Sequence, residues 1–214
     1  LPLGTDAIIG EALCCRIAAN LGDALVAPVV RVGCSSEHDS FPGTLSVPLD
    51  VLVGTLHGYV SSLTSHGFAT IVLVPTHGGN VAPVQAAAPE LARQNRGITL
   101  VPIADLDWYM ETMNRALREA GVDVDEPIVH AGATETAAML AIDPSLVDQD
   151  AAEPGYDGPV SHAVVLREGL EGVSESGVLG DPTLATADAG EHLLSTLASE
   201  AADWIRAERS SPSN

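Results

Sequence analysis

The feature that most limits how this chain can fold is a short, β-branched apolar run, Ala69-Thr70-Ile71-Val72-Leu73-Val74-Pro75, set between two stretches of helical periodicity. Its length and its bounding turn residues mark it as a buried strand rather than a helix. Before it, Leu49 to Ser65 carries Leu49, Leu52, Val53, Leu56, Val60 and Leu63 on one side of a helix. After it, Val81 to Asn95 also reads as a helix. The same alternation recurs elsewhere. Thr5 can cap a helix whose apolar positions Ile8, Ile9, Leu13, Ile17 and Leu21 end at Gly22. Val26 to Val32 and Ile98 to Ile103 read as strands, and Asp107 to Ala120 as a helix. The order α, β, α, β, α, β, α predicts an α/β protein with a mostly parallel central sheet covered by helices on both faces.

Beyond Gly121 the pattern is looser. A short strand or loop runs to Val129, and a helix covers Glu135 to Ile142. Residues 144–160 are acidic and rich in Gly, Pro and Asp, so they read as a surface loop. Ala163 to Leu166 fits a strand, Gly172 to Pro182 a second loop, and Thr186 to Ala207 a long helix before a frayed Ser211-Pro212-Ser213-Asn214 tail. No internal repeat or interdomain linker interrupts the sequence, so residues 1–214 are read as one domain.

Hydrophobic residues make up 46% of the chain and aromatic residues 3%, so the core must be built from Ala, Val, Leu and Ile. Acidic residues number 29 against nine basic ones, all of them Arg, for a net charge of −20. Such a surface repels nucleic acid and anionic membranes, which excludes both as partners at the level of charge. No apolar run approaches the roughly 18 residues that span a bilayer. Asp6 and Glu11 interrupt any signal-peptide pattern, so a cytoplasmic protein is expected. The acidity fits adaptation to high salt, where a Debye length of about 3 Å screens the repulsion between carboxylates; a halophilic source is the expectation. Cys14, Cys15 and Cys34 have neither CxxC nor zinc spacing and read as small apolar residues in a reducing compartment.

There is no P-loop, GxGxxG, GxSxG or HExxH. His57, His66, His162 and His192 stand singly, and Trp108 and Trp204 fall on predicted helices where packing is their expected use. What remains is a set of acidic and imidazole residues at strand ends and helix starts: Asp6, His38, His77, His130 and Glu135. His77 heads Thr76-His77-Gly78-Gly79-Asn80 at the carboxyl end of the first apolar run, where an open α/β sheet exposes ligands to its crevice. Taken alone, a His in such a place is most often a hydrogen-bonded loop residue. Carboxylate and imidazole together suit Zn²⁺, Mn²⁺ or Fe²⁺, and a His outside the coordination shell suits proton transfer.

Five segments in order, Leu1-Pro2-Leu3-Gly4-Thr5-Asp6, Glu37-His38-Asp39-Ser40-Phe41-Pro42-Gly43-Thr44, Thr76-His77-Gly78-Gly79-Asn80, His130-Ala131-Gly132-Ala133-Thr134-Glu135-Thr136 and Gly177-Val178-Leu179-Gly180-Asp181-Pro182, resemble motifs of the creatininase (creatinine amidohydrolase) family. The resemblance implies a three-layer α/β/α fold, a pair of divalent metal ions (Zn, Mn or Fe) that hydrolyses C–N bonds of cyclic or linear amides, and a homo-oligomer, commonly a hexamer. It implies that Asp6 bridges the metals, that His77 ligates one, that Glu135 binds or orients, and that His130 is the catalytic acid/base. His38, Gly78, Gly79 and Asn80 fall where the family lines its substrate pocket.

Two departures carry expectations of their own. Family members place a Glu-x-His-Gly-x-His segment directly before Leu-Pro, and it supplies a Glu and a His to the metals. This chain begins at Leu1, which reads either as an N-terminal truncation or as a start placed too late, and as written leaves an incomplete ligand set. Enzymes that act on creatinine carry Tyr-Glu where this chain has Gly78-Gly79, and a Trp shortly before the HAG motif where it has Asp125-Glu126-Pro127-Ile128-Val129. Both differences argue against creatinine as the substrate. Related members act on a formamidopyrimidine nucleotide or on the C-terminal dipeptide of a peptide-derived redox cofactor precursor, and the sequence leaves deformylase and peptidase both open. The competing class is a catalytically inactive oligomeric scaffold of the same fold.

Overall fold

The computed structural model describes residues 1–210. The 211–214 tail expected to fray lies outside the described residues. The chain forms α1 (Thr5–Leu21), α2 (Leu49–Ser65), β1 (Thr70–Leu73), α3 (Gly78–Gln94), β2 (Thr99–Pro102), α4 (Leu106–Glu119), α5 (Ala133–Ile142), α6 (His162–Glu168) and α7 (Ala187–Ser210). β1 and β2 pair in parallel, Thr70 opposite Thr99 through Leu73 opposite Pro102, with α3 as the crossover between them.

Alternation along these two strands separates the layers. Ile71 and Leu73 of β1, with Ile98 and Leu100 beside or within β2, pack among Leu52, Leu56 and Val60 of α2 and Val81, Val84, Ala87 and Leu91 of α3. Val72, Val74, Val101 and Ile103 face the other way, into a core shared by α1, α4, α5 and α7. The result is helices on both faces of a parallel pair, the α/β/α layering expected from the sequence. The low aromatic content shows directly in this second core, where Ala133, Ala137, Ala138, Ala198 and Ala201 are buried. Small residues let helices approach closely. A Cβ at Gly190 of α7 would lie 1.8 Å from the carbonyl oxygen of Ala137 on α5, so the contact between these two helices depends on the missing side chain. Trp108 and Trp204 meet edge to face at 5.5 Å and close one end of the α4–α7 contact.

Two strand expectations are corrected. Val26 to Val32 is without regular secondary structure and pairs with no strand among the described residues. Pro28 in its middle has no N–H to give a ladder and confines such a segment to an edge or to no sheet at all. The sheet among the described residues is therefore two-stranded. Ala163 to Leu166 is not a strand but lies inside α6, which packs against the turns at Leu170–Gly172 and Ser36–His38. Tertiary contact outweighs the weak β preference of Val164 and Val165 there. No described helix is long and apolar enough to cross a membrane.

Gly190→Ala forces α7 off α5 and is expected to cost about 3 kcal/mol, a fall of roughly 6–12 °C in melting temperature for a chain of this size. Gly54→Ala, in the middle of α2 where an added Cβ meets nothing within 4 Å, is the control and should be neutral or slightly stabilising. Equal melting temperatures for the two variants would contradict the close-crossing account.

Candidate metal centre

The chain leaves β1 through Val74-Pro75-Thr76 and presents His77 in an extended conformation as the residue capping α3. The Thr76 hydroxyl donates to the main-chain oxygen of Asp6 at 2.8 Å, which ties the first turn of α1 to this strand end. Asp6 thereby places Oδ2 3.3 Å from His77 Nδ1. From the opposite side Glu37 places Oε1 3.0 Å from His77 Nε2, and the Cys34 carbonyl lies 3.1 Å from the same nitrogen. Glu37 and His38 sit on a single 3₁₀ turn, Ser36–His38. That turn is anchored where the Cys34 N–H donates to Asn80 Oδ1 and the Ser35 N–H to Ser46 Oγ, both at 2.9 Å. The His38 ring lies 4.5 Å from that of His130 and 5.5 Å from that of His77, so three imidazoles form a continuous row.

Burial alone would lower the pKa of His77, but hydrogen bonds and charge from Asp6 and Glu37 reverse this and push it up to about 10. In Glu37, burial works to raise the carboxyl pKa, and the His77 hydrogen bond and charge overcome it to leave it below the usual range. Burial lowers His38, with the neighbouring His77 charge adding to the effect. Burial and the His38 and His77 charges together take His130 down to about 4. One imidazole is thus held as a cation between two carboxylates, while the next two in the row are neutral at neutral pH.

An imidazolium flanked by carboxylates marks a place built for positive charge. Glu37, His38 and His77 offer ligand atoms that all lie within 4.8 Å of one another, and Asp6 adds a second carboxylate beside His77. Carboxylate and imidazole donors suit Zn²⁺, Mn²⁺ or Fe²⁺, so the residues present fit a divalent ion, with Asp6 at Nδ1 and Glu37 at Nε2 standing on opposite sides of the His77 ring.

Of the residues singled out in the sequence, Asp6, His38, His77 and His130 come together. Glu135 stands in the first turn of α5 and accepts a hydrogen bond from the Ala131 N–H at 2.5 Å. Burial raises its pKa, and the Asp6 charge adds to the shift, so it lies close enough to feel the cluster without an ion pair to it. Ala131 itself has φ of 53°, a left-handed conformation rare outside glycine. Gly78 is exposed with open space where a side chain would be, and Gly79 lies under Glu37 and His77. Asn80 spends its side-chain oxygen on the Cys34 N–H, which gives it an anchoring part in this structure.

Two carboxylates were not singled out. Glu37 sat inside a recognised motif, and its adjacency to His38 on a polar turn was the available signal. Glu126 is buried and accepts from the Ala133 N–H at 2.6 Å and the Thr134 hydroxyl at 2.5 Å. Its own main chain is clasped by Asn114, which donates to the Glu126 carbonyl at 3.0 Å and accepts from its N–H at 2.8 Å. This network satisfies the free N–H groups at the start of α5 and so fixes the turn between His130 and Glu135. The His130 carbonyl accepts from the Leu179 N–H at 2.9 Å, and Tyr156 pairs with Leu179 in turn, so both Gly-rich loops buttress the row.

The shifts predict how the metal-free protein responds to pH. His77 is raised above its unfolded value near 6.5, so its contribution is present below that pH and lost as pH climbs through about 10. Glu135, raised from 4.5 to about 8, loses its contribution as pH climbs between those two values, so in the acid range it opposes the gain from His130. His130 is depressed, so its contribution is present above about 6.5 and lost as pH falls through about 4. Urea unfolding across this range should therefore show His77→Gln flattening the alkaline limb and His130→Gln the acid limb, each by at most about 1.4 kcal/mol per pH unit. An alkaline limb unchanged in His77→Gln would contradict the charge state assigned to that residue.

Residues 1–205 match the family described as Creatininase, creatinine amidohydrolase. The mycofactocin precursor peptide peptidase of Mycolicibacterium smegmatis is 35% identical over 213 residues, covering 96% of this chain and 78% of that protein. The creatinine amidohydrolase of Pseudomonas putida is 30% identical over 230 residues, covering 96% of this chain and 83% of its own length. Among solved structures, one described as Creatininase Mn has a TM-score of 0.77 at 27% identity, over 97% of this chain and 84% of the other. A zinc form of a creatininase mutant has a TM-score of 0.72 at 28% identity, with the same coverage.

Proposed function

The chain belongs to the creatininase family and is an amidohydrolase, a hydrolase of C–N bonds, and from that premise we propose that it is a divalent-metal-dependent peptidase acting on a short peptide rather than on creatinine. The observation that carries the metal half of this reading is the His77 imidazolium held between Asp6 and Glu37, with His38 beside it. The peptide half is supported by the 35% identical relative, named for a precursor peptide, and by the open space over Gly78 where creatinine-acting enzymes carry Tyr.

In this reading Asp6, Glu37 and His77, with His38, are the residues that would hold two divalent ions (Zn, Mn or Fe). When bound, such ions lower the pKa of a water and polarise an amide carbonyl. The chain's own groups do the rest. The two carboxylates would offset the cationic charge, and His77 would bind through a ring nitrogen whose proton has passed to solvent. His130, neutral at neutral pH, accepts a proton from the attacking water and returns it to the departing nitrogen. His38 stacks on His130 and holds its ring, while Glu135 fixes the turn that carries it through the Ala131 N–H.

The test is hydrolysis followed by mass spectrometry in molar KCl with Mn²⁺ or Zn²⁺, offering mycofactocin precursor peptide and creatinine in parallel. Peptide cleavage with creatinine untouched is the expected result; creatinine opened and the peptide intact would overturn the proposal. His130→Ala should keep its metal and lose about 10²–10⁴-fold in kcat, the usual share of general acid–base catalysis. Asp6→Ala should lose metal and activity together. Metal lost in His130→Ala, or activity kept in Asp6→Ala, would show the roles to be wrongly assigned.

A further inference from the structure

Glu126 keeps a carboxylate at 5% exposure, and among the described residues no arginine pairs with it. A buried acid without a cation is costly, and burial raises its pKa against the hydrogen bonds from Thr134 and Ala133, with the Asp181 charge adding to the rise. What the side chain holds in that place accounts for its presence. Oε1 accepts the Ala133 N–H at 2.6 Å, and Oε2 accepts the Thr134 hydroxyl at 2.5 Å with the Thr134 N–H at 3.4 Å.

The same carboxylate lies directly against two glycines from two different loops. A Cβ on Gly132 would lie 2.3 Å from Glu126 Oε1 and 2.3 Å from the Leu179 carbonyl oxygen. Gly132 has a φ of −82°, which any residue adopts, so close approach rather than backbone shape explains its missing side chain. A Cβ on Gly180 would lie 2.6 Å from the same Oε1. Gly132 stands two residues after His130 and Gly180 one residue after Leu179, whose N–H donates to the His130 carbonyl at 2.9 Å. The carboxylate therefore fills the corner where the two loops meet, and the main chain of His130 forms part of that corner. Between them Ala131 holds its φ of 53°. From behind, Asn114 clasps the Glu126 main chain and donates to the Met110 carbonyl at 3.0 Å, which fastens the corner to α4.

We infer that Glu126 is a positioning residue for proton transfer at His130: its carboxylate seats the Gly132 and Gly180 loops against the start of α5 and so sets where the His130 imidazole stands. The inference rests on the reading of His130 as acid and base given above. Glu126 acts through the main chain of residues 130–133 and through the Leu179 pairing. A loosened corner leaves the imidazole in place on average but off the line of transfer, and a misplacement of about 1 Å can lower a rate about 10²-fold.

The test joins steady-state kinetics on mycofactocin precursor peptide with Mn²⁺ to amide hydrogen exchange of the full chain without substrate. Glu126→Ala should lower kcat about 10–100-fold, with KM within about twofold and Mn²⁺ content as in the wild type. The Leu179 amide should exchange about tenfold faster or more, while the Ile103 amide, bonded to the Leu73 carbonyl at 2.8 Å, keeps its wild-type rate. Glu126→Gln keeps an oxygen for the Ala133 N–H and turns an amide toward the Thr134 hydroxyl, which then accepts; it should restore kcat and Leu179 protection to within about threefold of the wild type. If Glu126→Ala fails to fold, Thr134→Val removes the hydroxyl contact alone and should show the same pattern at about threefold to tenfold, the weight of one hydrogen bond. Unchanged kcat in Glu126→Ala or, in its place, Thr134→Val, metal lost from either, equal acceleration at Leu179 and Ile103, or a Gln variant no better than Ala would each overturn the inference. A wild-type chain that leaves the peptide intact would overturn the peptidase reading instead, and the exchange rates would still decide whether Glu126 holds the corner.

Discussion

The charge state of His77 is the constraint around which the rest of the site is arranged. Its two ring nitrogens face two carboxylates, Asp6 from the start of α1 and Glu37 from the loop before α2. An imidazole so placed becomes a buried cation, and its pKa of about 10 expresses how strongly the surroundings demand positive charge at that point. Burying a charge is tolerated only where it is paired and hydrogen-bonded, and here both partners are present. In the proposed reading, the proton and a metal ion are alternative answers to the same electrostatic demand.

The fold delivers these groups because the connections at the β1 end converge on one place. β1 passes directly into His77, and Thr76 bonds the same connection to the main chain of Asp6. Asn80, still in the first turn of α3, holds the loop that brings Glu37 and His38. The Ala-rich packing of α5 on α7 serves the same end from further away, since α5 carries Glu135 and its start is fixed by Glu126. Small residues allow the helices to stay close, and a close, stiff frame is what would keep the proposed ion site within the few tenths of an ångström that coordination requires.

Much of this was legible in the sequence, for identifiable reasons. Helices with clear apolar periodicity, such as Leu49 to Ser65, were read with the boundaries the structure has, and the strands at residues 70 and 99 stood out as short β-branched runs. Val26 to Val32 looked equally strand-like, yet pairing depends on a neighbouring strand, which a local pattern does not reveal. Ala163 to Leu166 was too short for periodicity to distinguish helix from strand. At the site, imidazoles were easy to single out because they are few. Glu37 and Glu126 were hidden among 29 acidic residues, and only contact distances and burial separate them from solvated carboxylates. Asn80 showed the opposite pattern: its motif suggested a substrate contact, while its side chain secures a loop.

The most direct test of the central claim is calorimetric titration of Mn²⁺ or Zn²⁺ into the metal-free protein at pH 8, in two buffers of different ionisation enthalpy. If the ion takes the place of the proton on His77, binding must release about one proton from that residue, because it is still protonated at this pH. The difference in heat between the buffers should show that release, and His77→Gln should abolish it. Tight binding with no proton released, or the same release from His77→Gln, would contradict the account.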